Sequence, residues 1–448
     1  MADDEFIAEI RDLIAGQTDQ GVVSVAERLA PSEWADIVPR LDPDEIAVLL
    51  RSLPEEEMAR LLEELDPAAA ADILRPLSGE AAADLLGAMD PDDATDVIEE
   101  LGSLEAERIL VEMTPADAAE LRELLAYPPD SAGGRMTPAF VAIAPELRAD
   151  QAIAALRRVA EDAETVNYVY VAAPDGTLLG VLSLHALVLT RPGTPVRELM
   201  QTGVVRVRAE ADQEVAARLL TDHNLLALPV VDGADRLLGI ITQDDVAEVL
   251  EEEATEDIER LGGSQPLDTP YLSASVSLLV RRRVVWLLLL FAAEAYTGTV
   301  MRAYSDEVDK VVALSYFIPL LIGTGGNIGS QTTTTLVRAI GVGEVRLRDV
   351  GRVLTKEVAV GLILGAIMAI VAYGRAELLG TGAKVALVVS LTIASICIWS
   401  ATVAAVLPLL LRKLRIDPAV VSAPLITTLV DGTGLMIYFT IAKRLLHL

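Results

Sequence analysis

Residues 423–439 read APLITTLVDGTGLMIYF, and Asp431 lies in the middle of this otherwise apolar run. An aspartate at the centre of a membrane helix costs roughly 2.5–3.5 kcal/mol on insertion scales, so an interaction must offset it. No Lys or Arg lies at membrane depth in any apolar stretch, which argues against an ion pair with a basic side chain. Two interpretations stay open: Asp431 is protonated in a packed core, or it faces water and a passing cation.

A second apolar stretch, FIPLLIGTGGNIGSQTTTTL, is rich in Gly, Asn, Gln and Thr. Its small residues allow close helix packing, and this is one interpretation. In the other, the glycines open the backbone beside an aqueous path onto which polar side chains project. Glu294, in an earlier apolar stretch, is either a further polar wall of that path or lies near the interface. The pore-lining candidates besides Asp431 are Gly325, Gly326, Asn327, Gln331 and Thr428.

The ligand types in these stretches favour a hard cation. Carboxylate, carbonyl and amide oxygens suit magnesium or calcium better than zinc or copper. The single cysteine, Cys397, excludes a disulfide framework and a thiolate site, and the three histidines are too scattered for a zinc site. Magnesium keeps its waters and commonly meets proteins through one or two carboxylates, which fits a lone aspartate in a polar pore.

Two acidic groups outside the apolar stretches are further candidates. The segment DDVAEVLEEEATEDIERLGG is either a solvated linker helix or a rod whose repulsion a divalent cation or a basic partner relieves. The second group is either a set of solvated helix starts or a set of weak divalent-cation sites: Glu57, Asp92, Asp93 and Asp96.

Charge divides the 448 residues into two parts. Hydrophobic residues make up 52%, mean hydropathy is +0.42, and the net charge is −31. From Ala274 onward there are 17 basic and 10 acidic residues, against 19 and 57 before it. An acidic, water-soluble front therefore precedes an apolar back. The acidic front argues against nucleic-acid binding, and the acidic start MADDEFIAEI has no apolar region typical of a signal peptide.

The front third is a repeat. Leu or Met recurs every 12 residues from Leu29 to Met113, with turns such as LDPDE and MDPDD that suit a first helical turn. About eight residues with apolar spacing follow each turn, which predicts a stack of short helices that bury one another's apolar faces. We expect an acidic N-terminal helix over 1–19 and the all-α repeat domain over 20–130.

The middle contains two similar α/β modules, predicted over 131–194 and 195–249. Each reads as strand, helix, strand, DG turn, strand and helix, and the pieces DGTLLGVLS and DGADRLLGIIT resemble tandem CBS domains. Such pairs often bind adenine nucleotides through a Thr or Ser and an Asp after the last strand. Thr242 and Asp245 fit that pattern, whereas His185-Ala186 replace the acidic residue after Ser183. ATP binding and a purely regulatory dimerisation scaffold both stay open.

The back reads as an all-α membrane domain over 271–448, preceded by the acidic connecting helix over 250–270. Five apolar stretches are long enough to cross a bilayer: 284–303, 311–338, 358–376, 385–411 and 419–442. Basic residues cluster before the first, between the second and third, and between the fourth and fifth. The positive-inside rule then predicts a cytoplasmic front and an external C-terminus.

This order of parts resembles the MgtE family of magnesium channels over nearly the whole chain. The most specific segments are YPPDSAGGRMTP, EEEATEDIERL, FIPLLIGTGGNIGSQ and DPAVVSAPLITTLVDGTG. The resemblance implies a non-enzymatic homodimer in the cell (inner) membrane that imports Mg²⁺ past Asp431. It also implies closure of the pore when Mg²⁺ binds the cytosolic part, and in some members ATP at the CBS pair. The regulatory positions that the resemblance adds are Glu214, Asp245, Glu248, Glu253, Glu256 and Asp417.

Two other functions remain in view. An ion-coupled exchanger of divalent cations would use the same intramembrane aspartate. A membrane-tethered nucleotide sensor that transports nothing would need no such residue, so the polar positions at membrane depth argue against it.

Overall fold

The computed structural model describes residues 7, 8, 11, 12, 33, 37–159, 163–267, 271 and 274–448. It divides into two compact units, Met1–Glu251 and Glu252–Leu448. The predicted helix over 1–19 and the start of the repeat domain, including Leu29, lie almost entirely outside the described residues. The end of the predicted connecting segment, 268–270, also lies outside them.

Short helices build the first part of unit one. After a 3-10 turn at Val38–Arg40, the described helices are α1 (Pro43–Ser52), α2 (Glu55–Glu63), α3 (Pro67–Leu74), α4 (Gly79–Gly87), α5 (Pro91–Glu100), α6 (Ser103–Glu112) and α7 (Pro115–Leu124). From α2 onward, helices pack mainly against the second helix along the chain: α2 on α4, α3 on α5, α4 on α6 and α5 on α7. Each buries its apolar face on a neighbour.

The 12-residue period sets where these helices begin and end. Asp66 caps α3 by accepting a hydrogen bond from the Ala68 amide at 3.0 Å, and a proline occupies the first helical turn. The repeating Leu or Met follows the helix end and enters the core, as at Leu53, Leu101 and Met113. The predicted helical repeat is thus confirmed where the structure describes it.

Two similar modules complete unit one. The first contains β1 (Ala142–Ile143), α8 (Ala149–Val159), β2 (Tyr168–Ala172), β3 (Leu178–Ser183) and α9 (Leu184–Leu189). The second contains α10 (Val196–Leu199), β4 (Val207–Arg208), α11 (Gln213–Asp222), β5 (Ala227–Val231) and β6 (Leu237–Thr242), and α12 (Gln243–Leu261) follows. In each sheet the first two strands are parallel and the last two antiparallel.

Backbone pairing joins the two modules. Thr177 and Arg236 form an antiparallel bridge where the two DG turns meet, and Thr137 pairs with Ile240 of β6. The segment YPPDSAGGRMTP also lies on the second module, since the Gly133 amide donates to the Ala209 carbonyl at 2.9 Å. A Cβ on Gly134 would meet the Pro128 carbonyl oxygen at 2.4 Å, so glycine is required in this tight turn.

Long helices build unit two. They are α13 (Val276–Ala303), the short α14 (Ser305–Lys310), α15 (Ile318–Gly341), α16 (Val350–Leu378), α17 (Ala383–Lys413) and α18 (Ala423–Leu446). Four segments are long and apolar enough to cross a membrane: Val312–Gly341, Leu347–Leu378, Ala383–Lys413 and Ala423–Leu446. They match the last four predicted spans. The first predicted span lies within α13, which is not among the four, so five spans are not confirmed.

The glycines of α15 let helices approach closely. A Cβ on Gly325 would lie 2.7 Å from Val430 Cγ1 of α18, and one on Gly329 would lie 2.4 Å from Ile426 Cγ2. Ser400 of α17 also donates a hydrogen bond to the Gly325 carbonyl at 2.6 Å. Because α15 runs unbroken from Ile318 to Gly341, its glycines do not open the backbone, and the contacts of Gly325 and Gly329 support close packing. The aqueous path beside this helix stays a prediction.

Gly329→Ala is expected to destabilise unit two. The added Cβ must displace Ile426 and Ser400, and overpacking of this kind typically costs 1–3 kcal/mol. The matched control is Gly323→Ala on the same helix, where a Cβ meets nothing within 4 Å. Thermal unfolding of the purified full chain in detergent measures the difference. Equal midpoints for the two variants would contradict the close-packing role.

Candidate functional site

Three carboxylates of the repeat helices meet in unit one. Oxygens of Glu63, Asp90 and Asp93 all lie within 4.8 Å of one another. The Asp90 amide also donates to Glu63 Oε1 at 2.8 Å, which fixes the end of α2 against the start of α5. Oxygen ligands at this spacing suit a hard divalent cation.

More carboxylates interact with these three, and the whole group is called the acidic cluster below. Asp245 is positioned by Thr242, whose backbone N–H and hydroxyl donate to Asp245 Oδ2 at 2.7 and 2.9 Å at the start of α12. Repulsion links this turn, and Glu164 of the first module, to the repeat helices. The members of the acidic cluster are Glu63, Asp90, Asp92, Asp93, Glu164, Asp244, Asp245 and Glu248.

Burial and like charge raise the pKa values in the acidic cluster. Burial, then repulsion from Asp92, raises the pKa of Asp93 to about 9. Burial, then repulsion from Asp90, raises the pKa of Glu164 to about 7. Burial also raises the pKa of Asp245, although its hydrogen bonds from Thr242 act in the other direction. One oxygen of Asp92, Oδ1, is buried and has no hydrogen-bond partner in the part of the chain that the structure describes.

Arg135 brings positive charge next to the acidic cluster. Its guanidinium donates to Asp96 Oδ2 and to Gln213 Oε1, both at 2.9 Å, and it attracts the Asp245 carboxylate. Arg135 also attracts the Glu99 carboxylate, but burial and repulsion from Asp96 outweigh this attraction and raise the pKa of Glu99 to about 7. One guanidinium therefore does not neutralise the carboxylates that surround it.

The structure brings together some of the predicted sites of unit one and separates others. Asp92, Asp93, Asp245 and Glu248 belong to the acidic cluster. Asp96 binds Arg135 instead, Glu57 lies in the first turn of α2, and Glu214 forms an ion pair with Arg218 on α11.

Sequence reasoning missed Glu63, Asp90, Glu164 and Arg135. The sequence does set Arg135 apart, since it is the only basic residue between Arg122 and Arg148. Glu63 and Asp90 are 27 residues apart, and only the stacking of the helices brings them together.

A second group of charges lies in unit two, where α12 ends. The Arg260 guanidinium forms ion pairs with Glu256 on its own helix and with Asp417, just before the 3-10 turn Pro418–Val420. Burial raises the pKa of Glu256 and of its neighbour Asp257. Repulsion from Glu253 adds to both shifts. The structure therefore places the predicted residues Glu256 and Asp417 against the Arg260 guanidinium, and Glu253 near Glu256. Sequence reasoning did not single out Arg260.

Asp431 lies on α18 and is 7% exposed within the single chain. Its Oδ1 is buried without a hydrogen-bond partner among the described residues, and Glu294 of α13 adds a repulsive interaction. The next residue, Gly432, lies against the ring of Tyr296, where a Cβ would come within 2.4 Å. A carboxyl group in this position is either protonated or partnered by water, an ion or a second chain.

The predicted pore-lining residues differ in their exposure. Gly325 and Gly326 are buried against neighbouring helices, whereas Asn327 and Gln331 are exposed on α15. Thr428 is half-buried, and its hydroxyl donates to the Pro424 carbonyl of its own helix at 3.0 Å. Of these five residues, Asn327 and Gln331 are thus the exposed ones.

Family models match three parts of the chain. Residues 318–441 match the MgtE model, described as a divalent cation transporter. Residues 29–130 match the MgtE intracellular N domain, and residues 196–252 match the CBS domain. The matched regions contain Asp431, the helices that carry Glu63 and Asp93, and the start of α12.

Named relatives extend over most of the chain. The magnesium transporter MgtE of Thermus thermophilus is 42% identical over 328 residues, 73% of each chain. MgtE of Bacillus subtilis is 35% identical over 324 residues, 72% of this chain and 71% of its own.

Two solved structures each cover more than half of the chain. The crystal structure of the soluble part of a magnesium transporter has a TM-score of 0.53 at 30% identity, covering 56% of this chain and 99% of its own. The cytosolic domain of the Mg²⁺ channel MgtE in complex with ATP has a TM-score of 0.52 at 34% identity, covering 54% and 99%. With relatives of this identity and coverage, the chain belongs to the MgtE family of magnesium transporters.

Proposed function

We propose that this transporter is a magnesium channel in which the ion passes Asp431. The observation that carries the proposal is a buried carboxylate in a helix apolar enough to cross the membrane, with one oxygen that has no partner among the described residues. A hydrated divalent cation supplies the missing partner and keeps the carboxylate ionised. Magnesium needs only one or two carboxylates because it retains most of its waters.

The proposed pore is formed by two copies of the chain. A second Asp431 doubles the negative charge facing the ion, and exposed Asn327 and Gln331 supply amide oxygens along the same path. We place the protein in the cell (inner) membrane with five spans, α13 being the first, a cytoplasmic front and an external C-terminus. The basic residues between spans support this orientation.

The acidic cluster is the proposed sensor that closes the channel, together with the carboxylates at the end of α12. Without a divalent cation, the carboxylates repel one another across helices. Bound magnesium removes that repulsion and favours the compact state, which shifts a two-state equilibrium. Moving a gate from 1:99 to 99:1 takes roughly 5.5 kcal/mol of differential binding, which several weak sites can share. High cytosolic magnesium therefore shuts the import pathway in this proposal.

ATP at the CBS pair is a further proposed ligand. A structure of a relative's cytosolic domain with ATP supports it, as do Thr242 and Asp245 at the end of β6. His185-Ala186 in the first module count against a complete pocket. An ion-coupled exchanger with the same intramembrane aspartate is the alternative transport mechanism.

Asp431→Asn is expected to lower magnesium uptake at least tenfold, about 1.4 kcal/mol of barrier, because the amide retains shape but lacks charge. Uptake is measured in cells that lack other magnesium importers. The control is Asp309→Asn, an exposed acidic residue on α14 outside the apolar spans, which should transport normally. Normal uptake by the Asp431 variant would remove this residue from the proposed pathway.

The metal-free protein is expected to lose stability as pH rises from about 4 to about 9. The unfolded Asp93 releases its proton near its ordinary pKa of 3.8, whereas the folded form holds it until about 9. The folded state therefore binds more protons in this window, and its advantage is lost as pH rises. Magnesium binds the ionised carboxylates, so its stabilising effect should grow with pH.

Thermal unfolding of the full chain in detergent, with EDTA or with Mg²⁺, measures both effects. Asp93→Asn should flatten the pH dependence in EDTA, while Asp84→Asn, exposed on α4, should leave it unchanged. A metal-free midpoint that rises between pH 5 and 8 would contradict this account of the acidic cluster.

A further inference from the structure

Arg260 joins the end of one helix to the start of another in unit two. Its guanidinium forms ion pairs with Glu256 in the last turns of α12 and with Asp417. Asp417 is itself fixed, because its Oδ1 accepts a hydrogen bond from the Ala419 amide at 2.8 Å. The 3-10 turn Pro418–Val420 then leads into α18, the helix that carries Asp431.

Close packing accompanies this ion pair. Gly263, with φ of +79°, follows α12, and a Cβ there would lie 2.9 Å from Trp286 Nε1 and 3.2 Å from Pro424 Cγ. Pro424 lies in the first turn of α18. The Leu267 amide donates to Glu259 Oε2 at 2.7 Å, which folds the following loop back onto α12. An ionic contact and an apolar contact therefore hold the same two helix ends together.

Further charges surround the ion pairs of Arg260. Glu253 and Asp257 repel Glu256, and Asp417 repels both Glu256 and Asp257. Positive charge reaches Asp257 from Arg260 and from Arg338 of α15. Arg260 therefore lies among carboxylates that repel one another, and its guanidinium offsets part of that repulsion.

We propose that Arg260 is a built-in cation that holds α12 to the Asp417 turn when magnesium is absent, and that Mg²⁺ competes with its guanidinium for Glu256 and Asp417. This deepens the proposed function, since it rests on regulatory magnesium binding at those carboxylates. Arg260 is a positioning residue that does not contact the permeating ion.

The chemistry of the Arg260 guanidinium supports its displacement by Mg²⁺ and argues against its release by loss of a proton. A guanidinium stays charged at any physiological pH, so it cannot leave these carboxylates by deprotonating. A guanidinium and Mg²⁺ at the same carboxylate repel each other, so an inner-shell contact between that carboxylate and Mg²⁺ is weakened while the guanidinium stays in place. Removing the positive charge of Arg260 therefore has two effects. It weakens the contact between α12 and the Asp417 turn in the absence of metal, and it strengthens magnesium binding.

The test is hydrogen exchange of the full chain in detergent, followed in peptides that cover 258–267 and 417–426, with MgCl₂ as the titrant. Arg260→Gln should raise exchange in both peptides in EDTA. It should also lower the Mg²⁺ concentration that gives half-protection by on the order of tenfold, because one nearby positive charge is lost. Arg260→Lys, which keeps the charge but not the planar fork, should shift the half-protection concentration less than threefold.

Three results would overturn the proposal. One is exchange in 417–426 that is unchanged by Arg260→Gln. Another is a half-protection concentration that is unchanged or raised in that variant. The third is an absence of Mg²⁺-dependent protection in the parent protein. The readout does not depend on conduction, so protection that shifts as expected in a protein without magnesium current would refute the channel while leaving the role of Arg260 intact.

Discussion

Repulsion between carboxylates that outnumber nearby cations is the constraint on which the rest of the structure depends. In unit one, Arg135 is the guanidinium that attracts Asp245, while burial and like charge raise the pKa of Asp93 to about 9. In unit two, Arg260 pairs with Glu256 and Asp417 among further carboxylates. Folding thus concentrates negative charge instead of dispersing it, and the proposed response to a divalent cation rests on this concentration.

The fold produces these concentrations by ordinary means. Proline and aspartate begin helices every 12 residues, so carboxylates accumulate where helices start. Stacking of alternate helices then brings Glu63 next to Asp90. In unit two, Gly325 and Gly329 of α15 leave room for Val430 and Ile426 of α18. The helix that carries Asp431 is thereby packed closely against α15. Local signals that stabilise single helices therefore also determine where the charges meet.

Sequence reasoning predicted the elements better than the contacts. The helical repeat, the paired α/β modules and four of the five apolar spans follow from periodicity and composition, which are local properties. Asp431 was identifiable because an acidic residue in an apolar run is costly. Glu63, Arg135 and Arg260 were not, because their partners are 27, 39 and 157 residues away. The interpretation that the α15 glycines open the backbone failed for the same reason, since only the packing partners reveal a close helix contact.

The most direct measurement of the central claim is current through the purified protein in a lipid bilayer, with magnesium varied on the side of the acidic front. Feedback by divalent cations on crowded carboxylates predicts a current that reverses at the magnesium equilibrium potential and falls as magnesium on that side rises through the millimolar range. A current that ignores magnesium on that side, or that requires a coupling ion, would contradict the account.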